Sequence, residues 1–276
     1  MNFLPEEYMA SWARRGYFVI RGFAESDRIC DLRCSCDVVL DQIRAESNDL
    51  GHSKANIAYL TEPKYFIGDR NALTRLLEFV GSLRVRNLIS GLSHPDEQPL
   101  LFHNTQYFHE QTMGDWDGNW HRDSQFCIPD AEAERQFALT TTAVHFCVAF
   151  VSDDRLEFVP GSHARWDTTD EYQIRKGSVP NGLMPDSNRI ALEAGDACVF
   201  HGWGIHRGTY RRTPIRRTLD IIYGFGPCQL GPAIPPPTCF KDSQILRCLS
   251  PDARRFFEDF VSAYRLYWTS LPTDMR

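Results

Sequence analysis

An imidazole and a carboxylate stand two residues apart in the stretch 119–123, whose sequence is Asn-Trp-His-Arg-Asp. If this stretch is a β-strand, alternate side chains share a face, so His121 and Asp123 point the same way. A metal centre needs a third donor, and His206 is the best candidate downstream, with His201 as the competing ligand. Two histidines and one carboxylate with open coordination positions are the ligand set of non-haem Fe(II) oxygenases.

The position of an arginine favours His206 over His201. Arg217 follows His206 at the start of a predicted strand that runs to Tyr223. A guanidinium can bind a carboxylate through two parallel hydrogen bonds, which is what anchoring the distal acid of a 2-oxo diacid requires. Alone, Arg217 would be interpreted as a surface residue, but together with the histidine it indicates a cosubstrate anchor.

The composition is that of an ordinary soluble globular protein. The chain has 276 residues, of which 42% are hydrophobic and 24% charged, and its formal net charge is −6. No apolar run approaches the ~18 residues of a membrane span, and the first residues do not resemble a secretory leader. We therefore expect a cytoplasmic protein, a monomer or homodimer, with neither a membrane nor a nucleic acid as partner. The nine cysteines are expected to be reduced, and those at 30–36 lack the second pair of a zinc site.

Residues 1–98 are predicted to form a mainly helical layer. The predicted elements are a helix at 5–15, a strand at 16–23, a helix from Ser26 to Ile43 and helices over 73–89 interrupted near Gly81. Residues 47–70 are polar, aromatic and irregular, which predicts a functional loop that forms one wall of a pocket.

Residues 99–230 change to short β-rich runs separated by Gly, Pro, Asp and Ser turns. The runs are 100–109, 139–150, 155–159, 190–192, 197–200 and 217–223. Helices followed by strands predict a helical layer packed on an all-β barrel or sandwich. The polar segment 166–189 is predicted to be an excursion over the mouth of a site, and 231–276 a proline-rich connector followed by a helix. Without a repeat or a sharp boundary, residues 1–276 are predicted to form a single domain.

A segment between the two ligand regions carries a family resemblance. Residues 156–163 read Leu-Glu-Phe-Val-Pro-Gly-Ser-His, and they follow the His-x-Asp pair and precede the turn Gly195-Asp196. In this order, together with the strand at 16–23, the motifs resemble the phytanoyl-CoA dioxygenase family of Fe(II)/2-oxoglutarate oxygenases. The resemblance implies a mainly β fold with flanking helices: a double-stranded β-helix, that is, a distorted, cupin-like jelly roll.

The same resemblance implies roles for four residues and the cofactors. Iron would lie on His121, Asp123 and His206, and Arg217 would anchor 2-oxoglutarate, so Fe(II), 2-oxoglutarate and O2 are the expected cofactors. The enzyme would be a non-haem iron dioxygenase that releases succinate and CO2. By implication, His163 is a structural residue of its turn.

Further cosubstrate contacts are less constrained. Family members often place a hydroxyl two residues after the distal histidine, where this chain has Gly208, so Thr209 is expected to compensate. Asn104 and Gln106 share one face of the strand before the His-x-Asp pair and are candidates for cosubstrate binding. Each could equally be a hydrogen-bonded amide of the core.

The carboxylate in the triad bears on the reaction. Halogenases of this superfamily replace it with a small residue, so Asp123 favours hydroxylation of a C–H bond in a small metabolite, and we expect one of secondary or specialised metabolism. Desaturation, ring formation and demethylation by the same centre stay open, as does a non-catalytic, cupin-like sensor or binding protein. The predicted substrate contacts are the aromatic and polar residues Gln125, Phe126, Trp203 and Tyr223.

Overall fold

The computed structural model describes residues 4–46, 57–60, 63–66, 68–92, 99–110, 114–128, 130–179, 184–225, 240 and 243–270. Residues 47–56 of the predicted loop, 180–183 of the predicted excursion and the connector at 231–239 lie outside them. The helices are α1 (Glu6–Arg15), α2 (Ser26–Glu46), α3 (Arg70–Val80), α4 (Leu83–Ser90), α5 (Ser124–Cys127), α6 (Ala131–Thr140), α7 (Thr169–Arg175), α8 (Ser243–Arg247) and α9 (Pro251–Ser270).

The strands form two antiparallel sheets. They are β1 (Tyr17–Ile20), β2 (Ile57–Tyr59), β3 (Leu100–His109), β4 (Trp116–Asp117), β5 (Ala143–Ala149), β6 (Asp153–Phe158), β7 (Asn188–Leu192), β8 (Ala197–His201), β9 (His206–Tyr210) and β10 (Arg217–Phe225). The large sheet has the order β1-β8-β5-β10-β3-β2, and the small sheet has the order β4-β9-β6-β7. The prediction of a mainly β fold with flanking helices is confirmed, and the sheets are antiparallel.

The two faces of the large sheet pack against different partners because side chains alternate along each strand. On the outer face, Phe146 and Ile221 belong to the main core, which the helices complete. On the inner face, Cys147 and Phe200 form a smaller apolar cluster with Phe158 of the small sheet. Any ligand held between the sheets therefore contacts the inner face.

The helical layer follows the predicted periodicity. Residues 73–89 form two helices that break at Gly81, where an added Cβ would lie 2.9 Å from the Cβ of Ala253 in α9. Because Gly81 packs this closely against α9, a larger residue at this position would force one of the two segments to shift. Within the described residues, every helix is too short or too polar to span a bilayer.

Three regions differ from the sequence prediction. The strand expected at 139–150 begins only at Ala143, because Asp130 accepts a hydrogen bond from the Ala133 amide and starts α6, which runs to Thr140. The excursion at 166–189 contains α7, which begins with a capping box. The irregular region 47–70 contains β2, which pairs with β3.

Candidate metal centre

The segment that carries the His-x-Asp pair is a bridge followed by a helical turn and not the strand that alternation assumed. His121 and His206 exchange two backbone hydrogen bonds of 2.9 Å and form an isolated β-bridge. The Asp123 amide donates to the Gly202 carbonyl oxygen at 3.0 Å, directly before α5. The convergence of the side chains therefore comes from pairing with β9 and the turn before it.

The three predicted ligands come together between the sheets. One donor atom from each of His121, Asp123 and His206 lies within 4.8 Å of the others. Asp123 Oδ1 is 3.4 Å from His121 Nε2 and 3.7 Å from His206 Nε2. This donor set of two imidazoles and one carboxylate fits Fe(II) with coordination positions left open.

Backbone carbonyls fix the orientation of both histidine rings. His121 Nδ1 donates to the Asn119 carbonyl oxygen at 2.7 Å, and His206 Nδ1 donates to the Gly204 carbonyl oxygen at 2.9 Å. With hydrogen on Nδ1, each Nε2 presents a lone pair to the centre.

Burial and neighbouring charges keep the ligands ready for a cation. Burial, reinforced by His121, lowers the pKa of His206 to about 3, so this imidazole is neutral at pH 7. Burial opposes ionisation of Asp123, but the neighbouring His121 and His145 hold the pKa of its carboxyl well below the usual range. A neutral imidazole and an ionised carboxylate are the metal-binding forms.

His201 does not join the triad. Its Nδ1 accepts a hydrogen bond from the Trp203 amide at 3.2 Å, and its ring stacks on Trp12 of α1 at 5.3 Å. The His163 ring lies 5.5 Å from that of His201, in the turn that follows β6.

The structure places Arg217 on the outer face of β10, away from the triad. It lies on the same face of β10 as the core residue Ile221, and its Nε lies 3.0 Å from Asp37 Oδ1 in α2. Its guanidinium also donates to Glu110. This placement does not support the expected contact between Arg217 and a cosubstrate bound at the triad, which stays a prediction.

The preceding residue, Arg216, points between the two sheets. Its Nε donates to Asp153 Oδ2 of β6 at 2.9 Å, and its guanidinium lies 4.5 Å from the centre of the Phe108 ring. Thr218 and Asp220 follow on the same face, as alternation requires. Among the described residues, the buried Arg216 Nη1 has no hydrogen-bond partner. A buried guanidinium with a free donor suits the distal carboxylate of 2-oxoglutarate.

The other predicted cosubstrate residues divide between the faces. Gln106 and Asn104 pair with Asp220 and Ile222, so both flank the inner face of β10. The Asn104 side-chain oxygen accepts a hydrogen bond from the Thr105 amide at 2.8 Å, as the core-amide alternative allowed.

Thr209 lies on the opposite face of β9 from His206 and therefore faces away from the triad. Its hydroxyl is 3.5 Å from the Arg155 carbonyl oxygen. Gly208 is on the triad side, where an added Cβ would lie 3.0 Å from the Tyr210 hydroxyl. The phenol of Tyr210, not the hydroxyl of Thr209, therefore occupies the space beside Gly208.

Two of the predicted substrate residues lie in α5, beside the triad. Phe126 is 64% exposed, and its ring centre is 5.3 Å from that of His121. Gln125 is engaged by the protein, since its Oε1 accepts a hydrogen bond from Arg175 at 2.7 Å. Phe126 therefore offers an apolar surface at the mouth of the site.

The other two are held in the protein interior. Trp203 is buried, and its indole nitrogen donates to the Thr141 hydroxyl at 3.0 Å. Tyr223 lies on the outer face of β10, where its hydroxyl donates to the Val80 carbonyl oxygen at 2.7 Å. The sheet lies between Tyr223 and the triad, so this placement does not support the predicted contact of Tyr223 with a substrate.

Sequence reasoning missed three polar residues on the inner face. His145 of β5 donates from Nε2 to Asp123 Oδ2 at 2.7 Å and from Nδ1 to Asp220 Oδ2 at 2.9 Å. Burial would lower the pKa of His145, but the carboxylates of Asp220 and Asp123 raise it to about 10. The signal available in the sequence was the alternation of polar residues with Leu219 and Ile221.

His103 is the third missed residue. Its ring covers Gly224, where an added Cβ would lie 2.1 Å from His103 Cε1, and Gly224 is two residues beyond the position paired with His145. Burial and the neighbouring His145 lower the pKa of His103 to about 3. In the part of the chain that the structure describes, neither ring nitrogen has a hydrogen-bond partner.

Arg122, the residue between the ligands His121 and Asp123, holds their loop in place through its buried side chain. The Arg122 side chain is fully buried and lies 2.7 Å from Asp167, and its Nη1 donates to the carbonyl oxygens of Ser162 and Trp203. Arg175 of α7 contacts the second oxygen of Asp167 at 2.7 Å. These contacts join the metal-ligand loop to the turn after β6 and to the excursion.

Comparison with known proteins agrees with this architecture. The family model of phytanoyl-CoA dioxygenase (PhyH) matches residues 12–219. The non-heme alpha ketoglutarate dependent epimerase SnoN from nogalamycin biosynthesis is 19% identical, with a TM-score of 0.54 over 79% of this chain and 80% of that chain. HygX from Streptomyces hygroscopicus, with nickel and 2-oxoglutarate bound, is 15% identical, with a TM-score of 0.56 over 80% and 87% of the two chains.

EvdO2 from Micromonospora carbonacea var. aurantiaca, complexed with 2-oxoglutarate, is 14% identical, with a TM-score of 0.56 over 82% of this chain and 92% of that chain. A search of curated proteins finds no matching sequence.

The facing sheets, the flanking helices and the triad define the class of jelly-roll Fe(II)- and 2-oxoglutarate-dependent oxygenases. The chain belongs to the phytanoyl-CoA dioxygenase family. It is a 2-oxoglutarate-dependent non-haem iron oxygenase that uses Fe(II), 2-oxoglutarate and O2, as the sequence predicted.

Proposed function

We propose that the protein hydroxylates a C–H bond of a small polar metabolite and releases succinate and CO2. The observation that carries this proposal is the complete triad, in which Asp123 supplies a carboxylate to the centre. Bound Fe(II) supplies the oxidising chemistry, driven by decarboxylation of 2-oxoglutarate. A site with its carboxylate retained favours oxygen transfer over halide transfer.

The cosubstrate is proposed to lie along the inner face between the triad and Arg216. Arg216 would bind its distal carboxylate, in place of the Arg217 expected from the sequence, because Arg216 points between the sheets and its buried Nη1 has no hydrogen-bond partner among the described residues. Asn104 and Gln106 are proposed to contact the cosubstrate from β3, and the Tyr210 phenol from β9.

The substrate is proposed to enter past Phe126 and to use His103 as a polar contact. A buried neutral imidazole offers one donor and one acceptor, which matches a hydroxyl or an amide better than an anion. SnoN acts in nogalamycin biosynthesis, so hydroxylated natural products are a reasonable first panel. The net charge of −6 supports a small-molecule partner over a nucleic acid, and we propose a cytoplasmic monomer or homodimer.

The test is to supply Fe(II), 2-oxoglutarate, 18O2 and a metabolite panel and to measure succinate together with product mass. Hydroxylation predicts one added 18O atom, desaturation the loss of two hydrogens, and epimerisation an unchanged mass. Asp123→Ala is the matched control and should release no succinate with any compound. A protein that binds metal and 2-oxoglutarate but never releases succinate would be a sensor or binding protein, and the proposal would be wrong.

A further inference from the structure

A continuous chain of polar side chains runs from the metal-ligand carboxylate into the inner face of the large sheet. Asp123 Oδ2 accepts from His145 Nε2 at 2.7 Å, and Asp220 Oδ2 accepts from His145 Nδ1 at 2.9 Å. The Cys147 thiol completes the chain by donating to Asp220 Oδ1 at 3.2 Å. His145 and Asp220 are both buried, so these contacts are not screened by water.

The two oxygens of Asp123 have different partners. Oδ1 faces His121 Nε2 and His206 Nε2, at 3.4 Å and 3.7 Å, while Oδ2 is bound to His145. The carbonyl oxygens that orient the two histidine ligands belong to the backbone. Asp123 is thus the triad member whose orientation depends on another side chain.

The His145 ring is held in place on several sides. It stacks on Phe200 with ring centres 4.4 Å apart and an interplanar angle of 14°. An added Cβ on Gly202 would lie 3.2 Å from its Cδ2 and Nε2, so the backbone approaches the ring closely there. Since an ionised carboxylate only accepts hydrogen bonds, both ring nitrogens act as donors. A rigid ring with two donors can hold one oxygen of Asp123 while Asp220 holds the ring.

We propose that His145, anchored by Asp220, is a positioning residue that presents only Oδ1 of Asp123 to the metal. With Oδ2 held by His145, the carboxylate would occupy one coordination position of a bound metal and would leave the other open positions to 2-oxoglutarate and O2. The inference rests on the proposed metal centre but not on the identity of the substrate or on the reaction type. Partners that orient a metal ligand affect metal affinity 10–100-fold in typical sites.

The test uses Co(II) as probe, because its visible spectrum reports the number of ligands and its affinity is measured without turnover. His145→Phe keeps a ring against Phe200 and removes both donors, and it should weaken Co(II) binding about 10–100-fold and change the spectrum. His145→Gln retains one N–H donor toward Asp123 and should recover part of both properties. Asp220→Asn, which keeps an acceptor for His145 Nδ1, should have a smaller effect than His145→Phe.

His163→Phe is the matched control, because that ring contacts Trp12 and His201 and none of the triad. It should leave Co(II) affinity and spectrum within twofold of the unmodified protein. Unchanged Co(II) affinity and spectrum in His145→Phe, or in His145→Gln if the Phe variant does not fold, would show that the polar chain is only structural. Co(II) binding that depends on Asp123 and His145, without succinate release, would instead reject the proposed reaction and leave the positioning role standing.

Discussion

The strand register predicts that Arg216, and not its neighbour Arg217, anchors 2-oxoglutarate. Arg216 and Arg217 have the same chemistry, but Arg216 contacts Asp153 between the sheets and Arg217 contacts Asp37 in the helical layer. If 2-oxoglutarate lies between the sheets, only the loss of Arg216 should remove its anchor. The two variants to compare are Arg216→Met and Arg217→Met.

The single Arg216→Met variant would also leave the buried Asp153 carboxylate without its cation, which costs about 3–5 kcal/mol of stability. Combining it with Asp153→Asn avoids this, because the amide still accepts the hydrogen bond from the Thr218 hydroxyl. Hydrogen bonds to charged groups contribute about 1.5–3 kcal/mol each. Losing a two-point contact with the cosubstrate should therefore cost about 3–6 kcal/mol, a ~100- to 20,000-fold weaker affinity.

The assay is anaerobic titration of 2-oxoglutarate into the Fe(II) protein, followed by the visible charge-transfer band and by calorimetry. Asp153→Asn alone keeps the guanidinium and should bind the cosubstrate at least as well as the unmodified protein. Arg217→Met should lower thermal stability, through the loss of its contacts with Asp37 and Glu110, but leave the affinity within a few-fold. If the double variant binds 2-oxoglutarate like Asp153→Asn while Arg217→Met does not bind it, the assignment of faces is wrong.

Three further predictions concern stability. Gly224→Ala should lower the free energy of unfolding by about 1–3 kcal/mol, because its Cβ would overlap the His103 ring, and Gly224→Ala combined with His103→Ala should recover most of it in a urea titration. Arg122→Gln should lower stability by about 3–5 kcal/mol, because the buried Asp167 would be left with Arg175, which it shares with the buried Glu134. An exposed-arginine variant such as Arg189→Gln should change stability by less than about 1 kcal/mol. Although burial opposes it, Arg216 holds the Asp153 pKa below the unfolded value, so this carboxylate stabilises the fold above pH ~4 and the stabilisation is lost as pH falls through the folded pKa. Urea titrations at pH 6 and pH 3.5 should therefore show a smaller loss for Asp153→Asn than for the unmodified protein, and an equal loss would contradict the ion pair.

The metal triad could be predicted because its chemistry depends on residue type and spacing. His121 and Asp123 were found as a pair, and the choice of His206 over His201 agrees with the geometry. Two of the reasons behind this prediction differ from what the structure shows, however. The pair does not lie in a continuous strand, and Arg217, which favoured His206, faces the helices.

Which arginine of β10 faces the interior of the barrel could have been predicted from the alternation of polar and apolar residues in the sequence. Arg217 shares its alternation with Leu219 and Ile221, whereas Arg216 shares its alternation with Thr218 and Asp220. In a barrel that binds a charged ligand, the polar set is the inner one and the apolar set packs against the helices. The position of an arginine after the distal histidine takes no account of this alternation, and it favoured Arg217, the neighbour of the proposed Arg216.

Contacts between distant segments could not be read in this way. Asp153 and Arg216 meet across two sheets, and His103 covers Gly224 only because the pairing of β3 and β10 shifts between Ile222 and Tyr223. Such a shift depends on the register of both strands, and a single-strand pattern carries no information about it.

The charges on the inner face explain why metal and cosubstrate suit this interior as a pair. Among the described residues, the hydrogen-bonded set around His145 and Arg216 contains three carboxylates, Asp123, Asp153 and Asp220, and these two cations. The carboxylates exceed the cations by one negative charge. A divalent metal alone would turn this into an excess of one positive charge, and a dianionic cosubstrate alone would triple the negative excess. Both together leave it unchanged, and each added charge meets a group of opposite sign, the metal at Asp123 and the distal carboxylate at Arg216. Because an uncompensated charge is costly in a buried site, the cosubstrate should bind far more weakly without the metal.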